Sequence, residues 1–72
     1  MNRMQLTIRL LRETDGRWIA DILELPGVTA QGASAEETVL KAKALALHAI
    51  AEQMENGEMK TPINILRFSV GA

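Results

Sequence analysis

The chain of 72 residues contains no cysteine and only one histidine. These absences exclude a disulfide, a thiolate zinc site and a histidine-rich metal site. Eight basic and nine acidic side chains give a net charge of −1. A protein that mainly binds nucleic-acid phosphate needs an excess of positive charge, which this chain does not have. No apolar run approaches the roughly 18 to 20 residues of a membrane span, and residues 1–10 do not resemble a signal peptide. We therefore expect a cytoplasmic protein.

The small size of the chain limits its hydrophobic core. A domain of this length buries only about 60% of the surface that its unfolded chain exposes. The sequence has no linker, repeat or low-complexity tract, so residues 1–72 are expected to form one domain. Self-association stabilises a domain with such a small core, and we expect a homo-oligomer.

Alternation and turn residues predict four β-strands. Residues 4–10 alternate strictly between apolar and polar side chains, as a half-buried strand does. Asp15-Gly16 and Pro26-Gly27 supply the chemistry of two tight turns, so the first three strands are expected to form an antiparallel meander. A last strand, separated from the meander by a helix, is expected to join the sheet parallel to the first strand. The predicted strands cover residues 4–10, 17–23, 28–31 and 63–70.

A long helix is predicted before the last strand. Ser34-Ala35-Glu36-Glu37 is a capping box. In this motif the Ser34 hydroxyl accepts a hydrogen bond from the Glu37 amide, and the Glu37 carboxylate accepts one from the Ser34 amide. No glycine or proline interrupts residues 35–55, and Asn56-Gly57 supplies the C-terminal stop. The predicted fold class is α+β, in the order β-β-β-α-β, with the helix packed on the sheet.

The apolar residues of this helix fall into two stripes at 100° per residue. The first stripe consists mainly of small residues: Thr38, Ala42, Leu45, Ala46 and Ala49, with Val39 and Ile50 at its border. The second stripe consists of Leu40, Ala44, Leu47, Ala51 and Met54. Two interpretations stay open: the sheet curls around the helix and buries both stripes, or Leu40, Leu47 and Met54 form a patch that faces a partner.

No group of residues predicts catalysis. The chain has no cysteine nucleophile, Ser34 serves as a helix cap, and His48 falls on the charged face of the helix. Asp21 and Glu24 lie three residues apart, which places them on opposite faces of a regular strand and disfavours a two-metal nuclease site. We expect no catalytic residue, no bound metal and no cofactor.

Arginines occur on or beside the predicted strands. Arg9 and Arg67 are expected to share the sheet face opposite the helix if the first and last strands are neighbours. Ordinary solvation of that face explains them, and a binding surface for an acidic or polar partner is the alternative. Nucleic acid is weakly supported, because no aromatic residue interleaves with the arginines. Trp18 lies either in the core or at its rim, and we expect the core, because the chain has only two aromatic residues.

Several short motifs, taken together, resemble those of the HicB family of antitoxins. They are Gly16-Arg17-Trp18, Glu24-Leu25-Pro26-Gly27-Val28 and Gln31-Gly32-Ala33-Ser34-Ala35-Glu36-Glu37, with Ala42 in the helix. The resemblance covers residues 6–51. It implies a partial RNase H-like fold without the nuclease carboxylates, and binding to a small HicA-type toxin, an RNA-cleaving protein that is thereby blocked.

Two departures from the family pattern affect what the resemblance implies. Val28 stands where many members have cysteine, which concerns packing. Many members carry a C-terminal helix-turn-helix or ribbon-helix-helix domain, and none follows the last predicted strand here. The resemblance therefore does not imply operator binding for this chain, and we expect no DNA binding by this chain alone.

These observations predict a non-enzymatic, antitoxin-like interaction module. The candidate contacts to the toxin are Arg9, Arg67, Glu24, Leu40, Leu47 and Met54. The candidate contacts between copies are Ile63, Ile65 and Arg67, on a strand with an unpaired edge. A divergent metal-dependent RNase H-like nuclease and a stand-alone structural or ligand-binding domain without a toxin partner remain as alternatives.

Overall fold

The structure, a computed structural model, describes residues 3–59 and 63–71. Its elements are β1 (Arg3–Arg12), β2 (Trp18–Ile22), β3 (Thr29–Gly32), α1 (Ala35–Glu55) and β4 (Ile65–Gly71). The strands form one mixed sheet in the order β3-β2-β1-β4. β1 pairs antiparallel with β2, β2 antiparallel with β3, and β1 parallel with β4. The predicted α+β fold and its β-β-β-α-β order are confirmed.

The alternation along β1 separates two faces of the sheet. Leu6 and Ile8 face α1 and are almost completely buried, whereas Arg9 lies on the opposite face and is exposed. The register extends this division across the sheet, because Ile8 lies beside Ile22 of β2 and Val70 of β4. One face therefore packs under the helix, and the other is an open polar face, as expected for a partly antiparallel sheet.

Small side chains let α1 lie close to the sheet. The buried residues of α1 are Thr38, Ala42, Ala46 and Ile50. The buried residues of the sheet are Leu6, Ile8, Ala20, Ile22 and Ala30. Alanine on both surfaces brings the main chains together, and α1 packs mainly against β3 and β2, less against β1. The helix therefore leaves β4 largely uncovered.

Two residues predicted to be buried lie at the margins of this core. Leu45 is 43% exposed, because its side of α1 projects past the β3 edge beside Gln31. Trp18 is half-buried at the start of β2, where the Arg12 guanidinium carbon lies 5.4 Å from the centre of its ring. The core prediction for Trp18 is wrong, because the indole forms a rim contact with a cation.

The predicted helix boundaries are confirmed. The Ser34 hydroxyl accepts the Glu37 amide at 3.2 Å, and Asn56 caps the C-terminus. The Glu37 carboxylate reaches one residue further back than predicted, where Oε2 accepts the Ala33 amide at 2.9 Å. Its other oxygen, Oε1, lies 3.3 Å from Lys41 Nζ. These contacts hold the pKa of Glu37 below its ordinary value, the Ala33 amide having the largest effect and Lys41 the next.

The predicted turns are also present. Gly16 and Gly27 both have φ of 92°, a left-handed conformation that side chains other than glycine rarely adopt. Across residues 3–59 and 63–71, no helix combines the length and apolar character needed to cross a membrane.

Candidate partner-binding surfaces

The second stripe of α1 lies on the molecular surface. Leu40, Leu47 and Met54 are 69%, 47% and 50% exposed. The interpretation in which the sheet curls around the helix and buries both stripes is wrong for these side chains. Leu47 and Met54 lie on the β4 side of the helix, beside Leu66, where the sheet does not cover them. We call Leu40, Leu47 and Met54 the helix row.

An apolar groove connects the helix row with the β4 side of the sheet. Its volume is about 330 Å³, and its lining consists of Leu47, Ile50, Ala51, Met54, Ile63, Asn64 and Leu66. Ile50 is 4% exposed and forms the floor, whereas Leu47 and Met54 form the exposed rim. Ile63, a predicted contact between copies, therefore lies inside this groove.

The exposed surface of α1 is predominantly acidic. Its sequence contains four glutamates and two lysines. Lys41 contacts Glu37 and also donates to the Gln31 carbonyl at 3.2 Å. Lys43 Nζ lies 5.6 Å from the centre of the Phe68 ring. The helix that carries the row therefore has a net negative charge, because its glutamates outnumber its lysines by two.

Arg9 and Asp21 form an ion pair on the open face of the sheet. They lie directly opposite each other on β1 and β2. Arg9 Nε donates to Asp21 Oδ1 at 3.2 Å, and Arg9 Nη2 donates to Asp21 Oδ2 at 2.6 Å. This two-bond geometry suits guanidinium and carboxylate, and it raises the pKa of Arg9 above its ordinary value. The predicted contact residue Arg9 is thus bound within its own sheet.

Glu24 is also bound by its own chain. Its Oε1 accepts the Thr7 amide at 2.6 Å, and its Oε2 accepts the Thr7 hydroxyl at 2.8 Å. These bonds to Thr7 hold the pKa of Glu24 below its usual range. Because β2 ends at Ile22 and the chain turns there, Glu24 does not follow the alternation of a regular strand. It reaches the side of the sheet on which Asp21 lies, contrary to the prediction of opposite faces.

The two strand carboxylates therefore have separate neighbours, Arg9 for Asp21 and Thr7 for Glu24. Residues 3–59 and 63–71 contain no group of three or more histidine, cysteine, aspartate or glutamate side chains that could hold a metal ion. His48 is exposed on α1, as expected.

The six candidate toxin contacts lie on two different surfaces. The helix row holds Leu40, Leu47 and Met54, while Arg9, Arg67 and Glu24 lie on or beside the open face. Arg9 and Arg67 share that face, as predicted, because Arg67 lies beside Gln5 of β1. One flat contact surface cannot include both groups.

Sequence reasoning missed the bond between Glu24 and Thr7. The two residues are 17 positions apart, and no local pattern connects a turn carboxylate to an amide on another strand. It also missed the groove, because predicting it requires knowing that α1 lies toward β3.

No protein-family model, curated protein or solved structure gave a significant match to the chain. An assignment of function therefore depends on the surfaces described above and on the sequence motifs.

Proposed function

We propose that this chain is an antitoxin-like interaction module that binds a small, basic HicA-type RNA-cleaving toxin and blocks it. The sequence motifs that resemble the HicB family supply the identity of the partner. The observation that carries the proposal is the exposed apolar helix row on an acidic helix. The β-β-β-α-β fold agrees with what the resemblance implies.

The helix row has the dimensions of a contact surface. Leu40 and Met54 are 14 positions apart, so at 1.5 Å per residue the row is about 21 Å long. Apolar anchors surrounded by charged groups are the usual anatomy of a protein interface, and such an interface covers about 800 Å² on each partner. Inhibition by this surface is steric, since it covers the RNA-binding or catalytic face of the toxin.

Charge supports the same assignment. α1 contains four glutamates and two lysines, so the helix that carries the helix row has a net negative charge. A negatively charged surface attracts a basic protein and increases its association rate. The toxin is therefore assigned to the helix row. Arg9 and Glu24 are less suited to this contact, because a partner would first have to break their bonds to Asp21 and Thr7.

Inhibition of a toxin tests this proposal. A small basic toxin of the HicA type, sought in the neighbouring open reading frame, is purified, and its cleavage of RNA is measured with increasing amounts of the chain. We expect cleavage to stop near equimolar chain. Leu47→Glu, in the middle of the helix row, is expected to weaken inhibition at least tenfold, because it places a charge in the apolar centre of the contact.

Leu23→Glu is the matched control. Leu23 is 52% exposed, close to the 47% of Leu47, but it lies in the turn after β2. The Leu23→Glu variant should inhibit RNA cleavage as strongly as the unchanged chain does. Circular dichroism should show that both variants remain folded. Uninhibited RNA cleavage in the presence of excess chain, or equal loss with both variants, would exclude the proposed surface.

Incubation of the chain alone with RNA and Mg²⁺ or Mn²⁺ tests the nuclease alternative. If metal-dependent cleavage appears and is abolished by Asp21→Asn but retained in Asp15→Asn, the chain is an enzyme and the proposal is wrong. Asp15 is a suitable control because it also pairs with an arginine, Arg17, at 3.2 Å.

A further inference from the structure

The two edges of the sheet differ. β3 is four residues long, and Lys41 donates to the outward carbonyl of Gln31 on this edge. β4 forms the other edge and is seven residues long. A long edge strand with free main-chain groups is a template for pairing with another chain.

The direction of the main-chain groups on β4 follows from β1. The Thr7 carbonyl accepts the Leu23 amide on the β2 side, so the odd-numbered residues of β1 bond β2. Because these groups alternate along a strand, the even-numbered residues of β1, including Leu6, bond β4.

Leu6 lies opposite Phe68 in the parallel register. In a parallel pair, Leu6 bonds the residues on either side of Phe68, which are Arg67 and Ser69. The intervening residues direct their N–H and C=O groups out of the sheet: Leu66, Phe68 and Val70. Within the described part of the chain, no side chain or turn supplies a hydrogen bond to these groups.

We propose that a second copy of this chain pairs antiparallel with β4, with Phe68 on the two-fold axis. Phe68 then lies opposite Phe68 of the second copy, and Leu66 opposite its Val70. These are the outward-directed residues, so each pair exchanges two hydrogen bonds. All seven residues of β4 are paired, and the two sheets join into one sheet of eight strands.

Charge and the length of the paired strand favour this register over its two neighbours. With Phe68 on the axis, Arg67 lies opposite Ser69 of the second copy. With the axis on Arg67, two arginines lie directly opposite each other, which is destabilising. With the axis on Ser69, the pairing is limited to residues 67–71 and leaves the start of β4 unpaired.

The exposed apolar surface of β4 supports the same occupant. Val70 lies on the helix side of the sheet and is 52% exposed, because α1 lies toward β3 and leaves this strand largely uncovered. In the proposed pair, Val70 contacts Leu66 of the second copy and loses this exposure. Both helices lie on the same side of the joined sheet, because the axis is perpendicular to it. The proposal does not depend on toxin binding, which uses the helix row.

Sedimentation of the full chain tests the pairing. At about 100 μM we expect twice the chain mass of 7.9 kDa. Val70→Lys places a charge at the paired edge and should raise the dissociation constant at least tenfold. Leu23→Lys is the control, since Leu23 is also 52% exposed, and it should remain a dimer. A monomeric unchanged chain, or equal masses for the two variants, would overturn the proposal.

Disulfide formation tests the register. The chain has no cysteine of its own. In the proposed register, positions 67 and 69 of the two copies face each other with Cα atoms about 4.5 Å apart, within disulfide range, whereas position 67 lies about 7 to 8 Å from its own counterpart. The double variant Arg67→Cys/Ser69→Cys should therefore form a covalent dimer under mild oxidation. Each single variant should form little, and equal cross-linking by a single variant would contradict this register.

Discussion

The carboxylate of Glu24 accepts both the main-chain N–H and the hydroxyl of Thr7 across the end of the β1–β2 ladder. Leu23 donates its N–H to the Thr7 carbonyl, as in a continuing antiparallel pair. Glu24 then supplies the acceptor that the Leu23 carbonyl would provide if β2 continued. The Leu-Pro-Gly turn is thus attached to β1 by a side chain, and the acidic residue before it has a structural role.

This contact predicts a pH dependence of stability. Its bonds to Thr7 lower the pKa of Glu24 in the folded chain below the ordinary value of 4.5. The stabilisation is therefore complete above pH 4.5 and is lost as pH falls through the lower folded pKa. We expect the urea midpoint of the unchanged chain to fall more steeply with acid than that of Glu24→Gln.

Glu58→Gln is the control for this measurement, because Glu58 is exposed beyond the end of α1. Its acid profile should follow that of the unchanged chain. If Glu24→Gln also follows that profile, the bond to Thr7 does not contribute to stability.

Gly32→Ala is expected to destabilise the chain by about 1 to 3 kcal/mol, as overpacking does. A β-carbon at this position would lie 2.6 Å from the Thr38 hydroxyl oxygen and 3.1 Å from Glu37 Oε2. Thr38 has no room to move, because it is completely buried and donates to the Ser34 carbonyl at 2.7 Å. The free energy of unfolding from urea titration measures the effect.

Gly71→Ala provides the comparison, since no atom lies within 4 Å of the corresponding position. It should leave the free energy of unfolding almost unchanged. Equal losses for the two variants would indicate that close packing at Gly32 is not the cause.

Ile50→Ala and Leu47→Ala should differ strongly in stability although both residues line the groove. Ile50 is 4% exposed, and its truncation is expected to cost about 2 to 5 kcal/mol. Leu47 is 47% exposed, and its truncation should cost about 0.5 kcal/mol or less. Thermal or urea unfolding compares the two, and a large loss for Leu47→Ala would place the helix row in the core.

Ser34→Ala should destabilise the chain by about 1 kcal/mol, because it removes the oxygen that accepts the Glu37 amide. Ser34→Asp retains an acceptor at this position and should preserve stability. Urea unfolding of both variants distinguishes loss of the cap from a general intolerance of substitution, which would affect the two equally.

Local signals accounted for most of the fold. The Ser34 cap and the Asn56-Gly57 stop act within one helical turn, and residues 35–55 form the helix that they predict. Alternation along β1 separated buried from exposed side chains because the period of a strand is two. These effects depend on neighbours in the sequence, so they are readable from it.

The features that sequence reasoning missed depend on how α1 lies on the sheet. Periodicity placed Leu45 in the buried stripe, but the position of the helix near the β3 edge leaves it 43% exposed. The same position exposes Leu40, Leu47 and Met54. A helical projection gives the angle between side chains, and the packing of alanines against the sheet decides which angles are covered.

The parallel pairing of β1 with β4 also has a kinetic consequence. Arg3 and Ile65 lie roughly sixty residues apart in the chain, whereas β1, β2 and β3 follow one another through short turns. Closing the longer loop has the greater entropic cost, so β4 is expected to dock late in folding. Substitutions in β4 should then accelerate unfolding more than they slow folding. Until that docking is complete, a nascent chain exposes the β4-facing edge of β1 to any neighbouring strand.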